Sequence, residues 1–164
     1  AGKSRKEAVK MGKFEPYKHR VQYYETDQMG IVHHSNYIRW FEEARIDLMR
    51  QAGLLYREME SAGVISPVLK VAAEYRTMVR FDDVVLIQTC VKKFNGIVMD
   101  LSYEVTDSKT GELRCTGKSR HCFLDGKGNP VSLKKSNREY YDKFAAMVDE
   151  YGKPAGDSLS VSKD

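Results

Sequence analysis

Asp27, Gly30, His33 and His34 fall within one short segment, YYETDQMGIVHHSNY over Tyr23–Tyr37, which ends where a helix is predicted to begin at Ser35 or Asn36. Gly30 supplies a sharp turn, so the Asp27 loop is expected to fold back toward that helix start. A helix N-terminus offers unpaired N–H groups and a partial positive charge, which polarise a carbonyl and hold the oxyanion formed when it is attacked. An aspartate with an ordinary pKa near 3.9 is ionised at neutral pH and needs no triad partner to act. Carboxylates attack amides poorly because the leaving amine must be protonated, whereas a thiol with pKa near 8.5 departs as thiolate. The pattern therefore suits thioesters, and the competing reading of Asp27 is a turn residue satisfying backbone donors. His33 and His34, with His19 and His121 elsewhere, bring a metal to mind, but adjacent side chains diverge and neither HExxH nor HxH spacing is present. No metal and no cofactor is expected.

The flanking sequence supplies the supports. Over Tyr17–Tyr24, Tyr17, His19, Val21 and Tyr23 alternate with Lys18, Arg20, Gln22 and Tyr24, which predicts a strand. Tyr37, Trp40, Phe41, Ala44, Leu48, Ala52 and Leu55 form an apolar helical stripe with Gly53 as its stop. A short polar helix or loop is expected over Tyr56–Ala62. Leu69, Val71, Ala73 and Tyr75 then share one strand face, with Lys70, Glu74 and Arg76 on the other. Asp83–Phe94 and Ile97–Asp107 flank Asn95-Gly96 as a tight hairpin, and Leu113–Leu124 forms a third long strand. Ser136 and Glu139 match a capping box ahead of a last helix bearing Tyr140, Tyr141, Phe144, Met147 and Val148. This order predicts an α+β fold, a long helix on an antiparallel sheet.

Asp27-Gln28-Met29-Gly30-Ile31-Val32, then His34, Asn36-Tyr37 and the aromatic helix Trp40-Phe41-Glu42-Glu43-Ala44-Arg45, resemble the active-site segment of the 4-hydroxybenzoyl-CoA thioesterase family, including the Tol-Pal-associated bacterial acyl-CoA thioesterases. The resemblance runs over roughly Tyr17–Val148; its most specific part is D-x-x-G-[IV]-V-x-x-x-N-Y. It implies the hotdog fold, in which an antiparallel sheet wraps a long central helix. It also implies hydrolysis of an acyl thioester, most naturally acyl-CoA or else an acyl-carrier protein, in a homodimer or homotetramer. By resemblance, Asp27 is the catalytic carboxylate, as nucleophile or general base, and the His34 backbone N–H polarises the carbonyl while its side chain orients substrate or water. Gly30, Ile31, Val32, Asn36 and Tyr37 are the expected substrate-binding positions of the same segment. Related aromatic-acyl enzymes meet the CoA phosphates with an arginine pair near the hairpin turn. Here Lys92 and Lys93 stand just before that turn, and Arg114, Lys118 and Arg120 are further candidates. Glu42 and Glu43 are read as charges on the solvent or dimer side, and a module of the same fold that binds acyl thioesters without turnover is the alternative function.

Composition agrees with a single domain. The 164 residues suffice for one sizeable core, and the dispersed net charge of +4 does not call for nucleic acid. Cys90, Cys115 and Cys122 show no CxxC pairing, which suits a reducing cytoplasm. No apolar run suggests a membrane span or a signal peptide. The expected layout is a flexible segment or cloning remnant over 1–12, the hotdog domain over 13–150 and a disordered tail over 151–164.

Overall fold

The computed structural model describes residues 14–148; the segments expected at 1–12 and 151–164 lie outside them. Five strands, β1 (Tyr17–Arg20), β2 (Val68–Tyr75), β3 (Val84–Phe94), β4 (Val98–Asp107) and β5 (Leu113–Cys122), form one antiparallel sheet in the order β1-β3-β4-β5-β2. The long helix α1 (Ser35–Gln51) lies across one face, and α2 (Tyr56–Ser61), α3 (Leu133–Ser136) and α4 (Arg138–Met147) complete the domain. This is the hotdog architecture.

Alternation along β3, β4 and β5 turns Val85, Ile87, Leu101, Tyr103, Val105 and Cys115 inward. Trp40, Phe41, Ala44 and Leu48 of α1 meet that layer, and the Phe41 ring stacks on Tyr103 with centroids 4.4 Å apart. Gly117, opposite Tyr103 on β5, leaves room for that ring, because a Cβ there would overlap Phe41 Cε2 and Cζ. Gly117→Ala should therefore destabilise the fold by about 1–3 kcal/mol, the usual cost of overpacking a filled core. A urea titration would show a lower midpoint at unchanged slope.

Several local expectations need correction. β1 stops at Arg20, not Tyr24: Tyr23–Glu25 forms a 3-10 turn, in which the Glu25 carboxylate accepts the Gln22 N–H at 2.8 Å and leaves Tyr23 and Tyr24 exposed. The α1 stripe does not reach Leu55. The chain reverses at Gly53 (φ +77°), the Leu54 N–H donates to the Met49 carbonyl at 2.8 Å, and Leu54 takes the buried position. The β3–β4 turn spans Asn95–Val98 and does not close on Asn95-Gly96 alone, since Asn95 Oδ1 accepts from the N–H groups of Ile97 and Val98. The last helix is capped by Asn137, whose Oδ1 accepts the Tyr140 N–H at 3.2 Å, in place of the expected Ser136. The face of β2 carrying Leu69, Val71 and Tyr75 is left partly open by the described residues: these three are 56%, 36% and 47% exposed.

Candidate active site

The loop between the 3-10 turn and α1 is a miniature hairpin. The Asp27 N–H donates to the Ile31 carbonyl at 2.8 Å and the Gly30 N–H to the Asp27 carbonyl at 2.9 Å, with Thr26 bridged to Val32. Gly30 takes φ +77°, a value that strains any residue with a Cβ. The Asp27 carboxylate has a divided role. Oδ1 accepts the Met29 N–H at 2.8 Å, pinning the turn, while the other oxygen has no partner among the described residues. The turn-stabilising and chemical readings of Asp27 are thus compatible, one oxygen for each.

At the start of α1 the first N–H groups are unequally engaged. The His33 N–H donates to the Glu25 carbonyl at 2.9 Å, the Ser35 N–H to His33 Nδ1 at 3.2 Å and the Asn36 N–H to the His33 carbonyl at 3.0 Å. The His34 N–H finds no acceptor among the described residues. It is the amide in this turn left open for an external oxygen. The His34 carbonyl accepts the Tyr75 hydroxyl at 3.0 Å, so β2 fixes the next peptide, His34–Ser35, on the other side of the His34 Cα. The His34 ring lies near Tyr75 and stacks obliquely on His33 with centroids 4.1 Å apart. Among the described residues no group of three or more His, Cys, Asp or Glu side chains could hold a metal ion.

The remaining expected site residues separate into two groups. Ile31 is bridged to Arg80, and the Val32 N–H donates to the Val79 carbonyl at 2.8 Å, tying the loop to the segment before β3. Asn36 is buried and its Nδ2 donates to the Glu25 carbonyl at 2.8 Å. Tyr37 is buried against Trp40 and Tyr75, and burial raises its hydroxyl pKa above the ordinary phenol value. These side chains frame the loop from within.

Lys92, Lys93 and Arg120 meet elsewhere, on the sheet face turned away from α1. With Lys70, Lys118 and Asp100 they line a cavity of about 660 Å³. Arg120 holds Asp100 through two bonds of 2.7 and 2.9 Å, which depresses the Asp100 pKa. The four lysines make no ion pair among the described residues, so the hollow carries a surplus of positive charge. Arg114 is not part of it: its guanidinium bonds Asp107, Thr77 and the Met78 carbonyl near the β4–β5 turn. Lys70 escaped the sequence reading because only the β2–β5 register, Lys70 opposite Arg120, brings it there.

Residues 21–150 match the model of the thioesterase-like superfamily. The chain is 32% identical over 125 residues to the putative acyl-CoA thioesterase YneP of Bacillus subtilis, covering 76% of this chain and 90% of that protein. It is 27% identical over 117 residues to the acyl-CoA thioester hydrolase YbgC of Escherichia coli, covering 71% and 87% of the two chains. A solved DHNA-CoA thioesterase from Staphylococcus aureus superposes with a TM-score of 0.76 at 29% identity, covering 80% of this chain and 89% of that one.

Proposed function

The chain belongs to the thioesterase-like superfamily and is a thioester hydrolase, and we propose that it cleaves acyl-CoA to a free carboxylic acid and CoA with Asp27 as the reacting carboxylate. The observation that carries this reading is the pairing of an unengaged Asp27 oxygen with an unengaged His34 N–H on one short, pinned loop. In the nucleophilic route, the Asp27 oxygen bonds to the acyl carbon, the carbonyl oxygen gains negative charge facing the His34 N–H, and the C–S bond breaks as CoA thiolate leaves. Water then hydrolyses the mixed anhydride. In the general-base route the same oxygen takes a proton from a water that attacks the acyl carbon. Both routes end with the same acid and thiol, and both place the His34 side chain beside the substrate.

We place the chain in the 4-hydroxybenzoyl-CoA branch on the D-x-x-G-[IV]-V-x-x-x-N-Y pattern, with 13–150 as the catalytic domain. Gly30, Ile31, Val32, Asn36 and Tyr37 shape the thioester end of the site. The working unit is a homodimer assembled further into a homotetramer. In its support, β2 is an eight-residue edge strand whose apolar face is open, the kind of edge that proteins cover. Tyr75 of that strand touches His34, so a second copy seated there borders the site. The Lys92, Lys93 and Arg120 hollow suits the CoA phosphates. Lys70 and Tyr75 point to opposite sheet faces by strand alternation, so we assign those phosphates to a CoA whose thioester sits at Asp27 of another copy. The cysteine spacing, with no CxxC pair, fits a cytoplasmic setting, and no helix among the described residues is long and apolar enough to cross a membrane.

Thiol release measured on short, long and aromatic acyl-CoAs and on acyl-carrier protein tests the activity. Turnover of at least one acyl-CoA is the expected result, and binding without release on every member would support the non-catalytic alternative. Analytical ultracentrifugation should give a multiple of the chain mass, and Leu69→Lys should shift it toward the monomer. A wild-type monomer would remove the assembly from the proposal.

A further inference from the structure

We propose that Glu25 is a positioning residue that sets both halves of the catalytic pair, an inference resting on the Asp27 and His34 reading above. Glu25 is 4% exposed, although it sits in a 3-10 turn between two exposed tyrosines and a surface loop. Its carboxylate is surrounded by donors. Oε2 accepts the Trp40 Nε1–H at 2.5 Å, and Oε1 accepts the Gln22 N–H at 2.8 Å and meets His19 Nε2 at 2.7 Å. His19 lies against the Trp40 ring, 4.8 Å between centroids, and its Nδ1 is 3.7 Å from Glu43 on α1. The Glu25 side chain thus joins β1, the 3-10 turn and the middle of α1.

The main chain of the same residue does the positioning. The Glu25 carbonyl accepts the His33 N–H at 2.9 Å and Asn36 Nδ2 at 2.8 Å, the residues that bracket His34. Asp27 follows two residues later and starts its turn from the strand-like bridge at Thr26. Shifting Glu25 would therefore move the carboxylate and the oxyanion donor relative to each other. A buried carboxylate gives this anchor directionality that an apolar residue could not, because each of its bonds has a defined partner and length.

Glu25→Gln is a sharp probe because it keeps shape and removes one acceptor. With its NH₂ toward Oε1 the amide would confront the Gln22 N–H; with its NH₂ toward Oε2 it would confront the Trp40 Nε1–H. Either orientation leaves at least one buried donor without an acceptor. Since a misplacement of about 1 Å can cost on the order of 10²-fold in rate, Glu25→Gln should lower kcat about 10²-fold with KM nearly unchanged. Trp40→Phe removes the N–H together with the five-membered half of the indole, leaves a small cavity in the core, and should lower kcat about tenfold.

Trp40 is the single tryptophan of the chain, so its indole N–H proton gives one NMR signal that reads the Glu25 contact directly. That signal should move upfield in Glu25→Gln and stay in place in Asp27→Asn. The double variant Glu25→Gln, Trp40→Phe should be no slower than Glu25→Gln alone, because the clashing donor is gone. An unmoved indole signal in Glu25→Gln would overturn the contact, and a moved signal with unchanged kcat would overturn the positioning role. An active Asp27→Asn with the indole behaviour as expected would sink the Asp27 reading separately. Should Glu25→Gln not fold, Trp40→Phe carries the test: wild-type kcat in that variant would count against the proposal.

Discussion

Asp27→Asn is expected to lower kcat for acyl-CoA hydrolysis by about 10²- to 10⁴-fold, the range that a positioned carboxylate contributes as a proton acceptor. The substitution separates chemistry from architecture because the two Asp27 oxygens are engaged differently. Asn retains a carbonyl oxygen for the Met29 N–H, and its NH₂ is directed away from that donor, so the turn closed by Asp27 and Gly30 should persist. What disappears is the free oxygen, replaced by a group that is neither nucleophile nor base at neutral pH. KM should change little, since this oxygen is not needed to hold the substrate. Asp27→Ala would remove the turn contact too and blur the result. Unchanged turnover in Asp27→Asn would exclude Asp27 from the chemistry. A single turnover in H₂¹⁸O, followed by mass spectrometry of the Asp27 peptide, divides the two routes further. Label on Asp27 reports water attack on an anhydride formed there, which the general-base route cannot produce.

The features legible in the sequence are those governed by neighbours along the chain. The α1 stripe, the Ser35 start and the long strands β3 to β5 follow from periodicity, and Gly53 and Asn95-Gly96 mark chain reversals close to where they occur. The turn from Asp27 to Gly30 ahead of α1 was legible because a short motif carried it. Glu25 was not. Its neighbours read as an aromatic strand, and only the fold reveals that the chain leaves the sheet at Arg20 and turns this carboxylate onto Trp40. The cation cluster shows the same boundary: Lys92, Lys93, Lys118 and Arg120 were suspected, but Lys70 joins them, and Arg114 leaves them, only through pairing between distant strands. Ser136 and Asn137 are both good caps, and backbone geometry at the α3–α4 junction chose between them.

The second large effect is on stability and comes from His121, fully buried beneath α1. A chain of hydrogen bonds runs from Arg45 Nη1 to the Tyr103 hydroxyl at 3.2 Å, on to Ser119 Oγ at 2.7 Å and then to His121 Nε2 at 2.7 Å, while His121 Nδ1 has no partner among the described residues. Arg45 can only donate, so the arrangement leaving fewest groups unmet has Tyr103 donating to Ser119 and Ser119 donating to a neutral Nε2. Protonating His121 would turn that acceptor into a donor and add an unpaired cation to the core. Burial, with the Arg45 charge as a lesser contributor, accordingly lowers its pKa from 6.5 to about 4.

The sign follows from proton uptake. The unfolded chain binds this proton below about 6.5 and the folded chain only below about 4, so stability must fall as pH drops through that window. The loss amounts to about 3 kcal/mol at about 1.36 kcal/mol per pH unit. Asp107, held near 2 chiefly by backbone N–H bonds, loses its contribution only below about pH 4, so the two groups act in successive ranges. Urea titrations from pH 7.5 to 4 should show the decline, and His121→Gln should be less stable at pH 7.5 but flatter across the window. A wild-type profile with no decline between pH 6.5 and 4 would mean that His121 accepts its proton without leaving the core, and that the Arg45–Tyr103–Ser119 chain does not hold it neutral.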